Sequence, residues 1–284
     1  MFDRYRIPLD EWIRMFVDWL VGNYRPVFQN LKWPVEYVLD SISELLLWLP
    51  PSVVLLALFG IAWAVANWRI GLFSVAAFAF VGFIGLWDEL MVTFAMVLSA
   101  VTFCVVVGIP MGIFAAHNDW FYRILRPVLD AFQTTPAFVY LVPVVMLFSI
   151  GTVPGVIATI IFALPPIVRL TNLGIRQVPE DVVEAGHAFG CTPMQLLWKI
   201  EIPLALPTIM AGLNQTIMLA LSMVVIAALI GAQGLGVVVF SGLNRLRVGD
   251  AAIGGIGIVL LAMVLDRITQ EMSRRAEAQR TRSW

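Results

Sequence analysis

The chain has 284 residues, 60% of them hydrophobic and only 13% charged, with a net charge of −1. A soluble domain of this size carries charge on roughly a quarter of its residues, so most of this surface does not face water. The neutral balance, without a basic stripe, excludes nucleic acid as a partner, and two cysteines are too few for a disulfide framework.

The opening residues 1–8 lack the basic-then-apolar profile of a signal peptide, so insertion is expected to rely on later segments. Through residues 1–48, Trp12, Ile13, Phe16, Val17, Trp19 and Leu20 recur at helical spacing with Asp10, Glu11, Arg14 and Asp18 between them. That pattern suits an amphipathic helix in the membrane interface; a soluble tail packed on the bundle is the alternative. A hydrocarbon core of about 30 Å needs about 20 mostly apolar residues per helix. Candidate spans follow at 49–66, 70–87, 90–116, 131–150, 153–175, 204–230 and 251–268, predicting an all-α polytopic membrane bundle of about seven transmembrane helices. The spans carry Pro143, Pro165, Pro166, Gly254, Gly255 and Gly257, which membrane helices tolerate or use for close packing.

The positive-inside rule orients the chain. Arg267, Arg274, Arg275, Arg280 and Arg282 place the C-terminal tail in the cytoplasm. Counting back, Arg69, the 117–130 loop and the 176–203 loop are cytoplasmic too, while Asp88, Glu89 and the Gly-rich 231–250 segment lie outside. The scheme leaves Arg4, Arg6, Arg14, Arg25 and Lys32 external, against the rule, although acids outnumber them in that segment. The basic tail reads either as an anchor or as a sensor of anionic lipid or ionic strength.

The 177–203 loop is the most punctuated stretch. Pro179 suits a first helical position, with Glu180 and Asp181 complementing the helix dipole. Gly190 suits a left-handed stop. A second helix then starts with Thr192 as N-cap, Pro193 in its first turn and Gln195 completing a capping box, and is expected to end near Ile200, before Pro203. Met194, Leu197, Trp198 and Ile200 offer an apolar surface, which either marks a partner site or packs back on the bundle. Ala185, Gly186 and Ala188 would permit close approach of a partner, and Glu184 offers it a carboxylate.

Glu184-Ala185-Gly186, then Gly190, then Ile200-Glu201-Ile202-Pro203 resembles the EAA loop of permeases in binding-protein-dependent ABC importers. Gly186 stands where Ala is usual and Ile202 where Leu is usual, both conservative in kind. Stretches 136–143, 153–158, 162–172, 207–216 and 219–227 are similar to the glycine betaine/proline betaine permease subfamily, so the likeness covers roughly 85–270. The resemblance implies an ABC type I importer permease core over 88–270 with its coupling loop at 179–203. The N-terminal segment 1–48, accessory helices 49–87 and basic tail 271–284 flank it. It further implies a bacterial plasma (inner) membrane homodimer that receives a quaternary-ammonium osmolyte from an extracytoplasmic substrate-binding protein. Choline and carnitine stay open beside the two betaines. The loop would seat on a separate ATP-binding cassette ATPase, which holds ATP and magnesium, leaving this chain no cofactor.

Other features agree with a transport subunit rather than an enzyme. No phosphate loop of the Gly-x-x-x-x-Gly-Lys-[Ser/Thr] type occurs, the only lysines being Lys32 and Lys199. His117 and His187 fall in loops, without a metal or hydrolase motif, so neither catalytic nor metal-binding residues are assigned. Gln133, Thr134 and Thr135, then Asn214, Gln215, Thr216 and Ser222, would line a water-filled path or hydrogen-bond between helices. Tyr140, Phe132 and Phe138 would either hold a trimethylammonium group through cation–π attraction or simply pack. Arg169 and Asp266 are expected to snorkel at the cytoplasmic ends of their spans. An ion-coupled secondary transporter, the alternative function, predicts buried ionisable residues and an internal repeat; neither stands out. An intramembrane enzyme has no catalytic residues to build on.

Overall fold

A computed structural model describes residues 8–282, all of whose regular elements are helical; Arg4 and Arg6 lie outside the described residues. Helix α1, Leu9–Trp48, stops where Pro50 and Pro51 remove two donors and force the preceding backbone to extend. Pro51 then opens α2, Pro51–Val65, and the chain turns through 112° between Pro26–Trp48 and α2. Helix α3, Trp68–Phe83, starts at Asn67, whose side chain accepts from the Arg69 and Ile70 amides at 3.0 and 3.1 Å. In α1, Trp12, Ile13, Phe16 and Trp19 are exposed, whereas Val35 and Leu39 are buried, so the apolar stripe at its start does not pack on the bundle.

The core is built by α4, Trp87–His117, α7, Thr152–Arg176, and α10, Ile202–Ala227. Helices α4 and α7 cross at Gly108 and Gly112, a small-xxx-small pair. A Cβ at Gly108 would stand 2.5 Å from Ile167 Cγ2, and one at Gly112 would stand 2.7 Å from the Val168 carbonyl oxygen. Pro165 and Pro166 are buried within α7 without breaking it.

The candidate span over 131–150 is not one straight helix. Helix α5, Asp119–Thr134, is amphipathic and replaces much of the expected 117–130 loop. It stops because Pro136 pushes Thr135 into extended backbone. A 3-10 turn, Ala137–Tyr140, leads into α6, Leu141–Phe148, and the stretch Ala137–Phe148 stands at 109° to α5. The second short helix of the 177–203 loop also does not end at Ile200. Helix α8, Glu180–Ala188, is followed by α9, Pro193–Leu196, and a π turn, Leu197–Glu201, which passes straight into α10. Pro203 has no N–H for the Lys199 carbonyl, and the widened turn, with Ile202 N–H bonded to the Leu197 carbonyl, absorbs the misfit. The 231–250 segment contains α11, Leu235–Asn244, before α12, Val248–Arg282.

Among the described residues, four helices are long and apolar enough to cross a membrane: α4, α7, Pro193–Ile230 and Val248–Arg275. Counting each bent pair as one span gives up to six, with α3 a shorter apolar helix, against about seven read from hydropathy. At one end of the bundle the Leu235 N–H donates to Thr93 Oγ1 at 2.8 Å, and the Gly151 N–H to the Ile230 carbonyl at 2.9 Å. The 177–203 loop emerges at the other end, with the close of α4 and α7. There Arg275 of the basic tail donates to the carbonyls of Ala64, at 2.8 Å, and Ala66, tying α12 to the α2–α3 corner.

Candidate functional site

Local chemistry shapes the loop. Helix α8 ends with Phe189 as C-cap and Gly190 at φ +77°. The Cys191 N–H reaches back to the Gly186 carbonyl at 3.0 Å and the Gly190 N–H to the His187 carbonyl at 2.9 Å. These two bonds are a Schellman motif, and they need the left-handed glycine between them. One residue later the chain restarts: Thr192 Oγ1 accepts from the Gln195 amide at 3.4 Å, and Gln195 Oε1 accepts from the Thr192 amide at 3.0 Å. The capping box is complete. The loop is therefore a stiff angle of two short helices, not a flexible linker.

Its surface is uneven. Glu184, Ala185, Gly190 and Pro203 are exposed, and so are Met194 and Trp198. Leu197 and Ile200 are half-buried, and Leu196 is buried. Gly186 is also buried: a Cβ there would stand 2.8 Å from Leu196 Cδ1 and Ile200 Cδ1. It lets α8 sit on the π turn of its own loop, so it is not part of a surface open to a partner. The apolar tip is Phe189, 90% exposed, which the sequence reading passed over in favour of the second helix.

Both ends of the loop are anchored at one place. Arg176, the last residue of α7, donates to the Ala115 carbonyl at 2.9 Å and to Asp119 Oδ1 at 2.6 Å, with its guanidinium 5.4 Å from the Tyr122 ring centre. Glu201, the last residue of the π turn, is buried, and its two carboxylate oxygens lie 3.0 and 3.3 Å from His117 Nε2. His117 Nδ1 lies 3.0 Å from the Ile113 carbonyl oxygen. The sequence signal for Glu201 was a carboxylate between Ile200 and Ile202; nothing linked it to His117, 84 residues away.

The candidate path residues do not gather on one face. Gln133 and Thr134 are exposed and Thr135 half-buried at the α5–α6 bend, with both threonine hydroxyls on the Ala131 carbonyl. Tyr140 is buried, donates its hydroxyl to the Phe132 carbonyl at 2.5 Å and packs edge-on to Phe132, so it braces the bend. On α10 the helical turn separates the remaining three. Asn214 faces α12, donating to Asp266 Oδ1 at 3.4 Å and accepting from Thr269 Oγ1 at 2.6 Å. Gln215 is exposed, and Thr216 is fully buried. Ser222 bonds its own helix, at the Met218 carbonyl. Neither Arg169 nor Asp266 snorkels free: Arg169 pairs with Asp130, and Asp266 accepts from Gln270 Nε2 at 2.7 Å.

The model of the family described as binding-protein-dependent transport system inner membrane component matches residues 108–277. Over 283 residues the chain is 52% identical to the glycine betaine/proline betaine transport system permease protein ProW of Escherichia coli K12, covering all of this chain and 80% of that protein. It is 45% identical over 267 residues to the glycine betaine transport system permease protein OpuAB of Bacillus subtilis, covering 94% of this chain and 95% of that one. Among solved structures, an inward-facing MetNI methionine ABC transporter chain superposes with a TM-score of 0.60 at 23% identity, over 67% of this chain and 95% of that chain. That likeness concerns the fold.

Proposed function

The chain belongs to the family of binding-protein-dependent transport system inner membrane components, and from that premise we propose that it is the permease subunit of an ATP-driven importer of glycine betaine and proline betaine. In this reading the chain spans the bacterial inner membrane with its C-terminus in the cytoplasm, pairs with a second copy of itself, and receives substrate from an extracytoplasmic binding protein. The 177–203 loop seats on a separate ATPase, which holds the ATP and magnesium. Residues Glu184, Ala185, Gly190, Met194, Trp198 and Phe189 form the contact; Gly186, Leu197, Ile200 and Pro203 set its shape. Gln133, Gln215 and Thr134, whose hydroxyl stays on the Ala131 carbonyl, are the exposed polar candidates that face a translocation path in this reading.

One observation carries the ATPase reading: a rigid, doubly capped angle leaves Phe189, Met194 and Trp198 exposed at the end of the bundle where α4 and α7 close. Exposed large apolar groups on a rigid support mark a protein–protein contact. The substrate class is supported by the similarity to ProW and OpuAB, permease proteins of glycine betaine/proline betaine and glycine betaine transport systems. The ion-coupled alternative is not favoured, since the chain belongs to the family of binding-protein-dependent transport system components. The test is uptake of labelled glycine betaine into proteoliposomes holding this chain, its ATPase and the binding protein. The reading predicts uptake that needs internal ATP and stops with vanadate. Uptake driven by an ion gradient without ATP would reject it.

A further inference from the structure

The loop's two ends converge on a single short corner of the chain. Arg176 at one end holds Ala115 and Asp119; Glu201 at the other holds His117. Helices α4 and α5 meet there with one residue between them, Asn118, whose side chain accepts from the Phe121 amide at 3.0 Å. A corner so short and capped transmits displacement rather than absorbing it. The corner continues as α5, 16 residues and hence about 24 Å long. The far end of α5 meets the 109° bend that Tyr140 braces.

We propose that the α4–α5 corner receives the motion of the docking loop, and that Glu201 and His117 are the positioning residues that join the two. The proposal rests on the reading that the loop binds an ATPase. Burial distinguishes this joint from ordinary surface pairs. The Glu201 side chain is 9% exposed and meets a His117 that is 50% exposed, so the joint is buried on its carboxylate side, whereas Asp119, on the Arg176 side, is 78% exposed. An exposed pair reforms easily with water and contributes little; a buried one holds its two elements together or leaves a charge without compensation. Glu201 therefore fixes the π turn to α4, and Arg176 steadies the other side. Displacing the loop must carry α5 with it, and with α5 the bend at Thr135–Pro136.

The experiment uses the complete transporter in proteoliposomes and measures bound ATPase, ATP hydrolysis, and substrate taken up per ATP. Glu201→Gln and His117→Gln keep a polar side chain of similar size and remove the carboxylate or the imidazole. Each is expected to retain bound ATPase and hydrolysis while uptake per ATP falls by about five-fold or more, the range of an ordinary coupling between sites. The double variant should be no worse than the poorer single, and His117→Lys, which offers Glu201 an N–H donor from the same position, should recover most of the ratio. Unchanged uptake per ATP in both singles overturns the proposal. So do multiplying losses in the double with no recovery in His117→Lys, which mark a merely structural role. Loss of bound ATPase from the singles overturns it as well, since the pair would then serve docking. Should Glu201→Gln fail to fold, His117→Gln, whose side chain is 50% exposed, decides: a reduced ratio supports the joint and an unchanged one overturns it. Failure of the unaltered chain to hold any ATPase sinks the ATPase reading itself, a result separate from all of these.

Discussion

Replacing Gly190 separates backbone conformation from packing, because a Cβ built there meets nothing within 4 Å although φ is +77°. Any penalty is therefore conformational. An L-residue in left-handed backbone costs about 1–2 kcal/mol; Asn tolerates it better, and a β-branched residue is a genuine outlier. The Schellman bonds at 2.9 and 3.0 Å hold the turn only while that backbone persists. Gly190→Asn should therefore be close to the parent. Gly190→Ala should lower the population of the docked angle about five- to thirty-fold, since 1.36 kcal/mol is a factor of ten, and Gly190→Val should lower it further. Uptake and ATP hydrolysis in reconstituted vesicles read the effect, with uptake falling in the order Gly, Asn, Ala, Val while the thermal transition of the bundle stays put. Equal uptake from the Val and Gly proteins would refute the reasoning, as would a loss in Asn as large as in Val.

Phe189→Ala removes the exposed tip of the loop. Burying a Phe side chain is worth about 1.5–3 kcal/mol, so ATPase affinity measured by titration onto permease in nanodiscs should fall about ten- to a hundred-fold; unchanged affinity would exclude the tip from the contact. Gly112→Ala forces α4 away from the Val168 carbonyl 2.7 Å from the built Cβ. It should destabilise by about 1–3 kcal/mol, seen as a lower thermal midpoint, while Gly255→Ala, with nothing within 4 Å, should not shift it. Arg275→Met removes the donors on the Ala64 and Ala66 carbonyls, a loss of about 1 kcal/mol. Faster amide exchange across 64–68 should report it, and unchanged exchange would show that α12 does not hold that corner.

What the sequence made legible was local. Thr192 and Gln195 lie three residues apart, so a capping box could be read directly, and Gly190 marked its own turn because so few residues tolerate positive φ. Hydropathy is blind to direction. It showed an apolar run over 131–150 but not the turn at Pro136, though the proline was there to see. Helix α5 was masked by Arg123, Arg126 and Asp130, which drew attention away from Leu125 and Leu129 at helical spacing, both buried. Gly108 and Gly112 carried a close-packing signal that Gly254, Gly255 and Gly257 overshadowed. Gly254 and Gly257 do pack on α11, while Gly255 faces open space. The Glu201–His117 and Arg176–Asp119 contacts join residues 84 and 57 positions apart, and no single-sequence pattern encodes such pairs.

Cross-linking from the loop tip to the ATPase tests the central assignment most directly. Phe189→Cys in a Cys191→Ser background should form a bond with the ATPase in the assembled transporter, through a short bifunctional reagent. Leu246→Cys, at a site 87% exposed beyond α11 at the opposite end of the bundle, should form none. Cross-linking from position 246 with none from 189 would place the ATPase on the wrong end of the bundle and contradict the account.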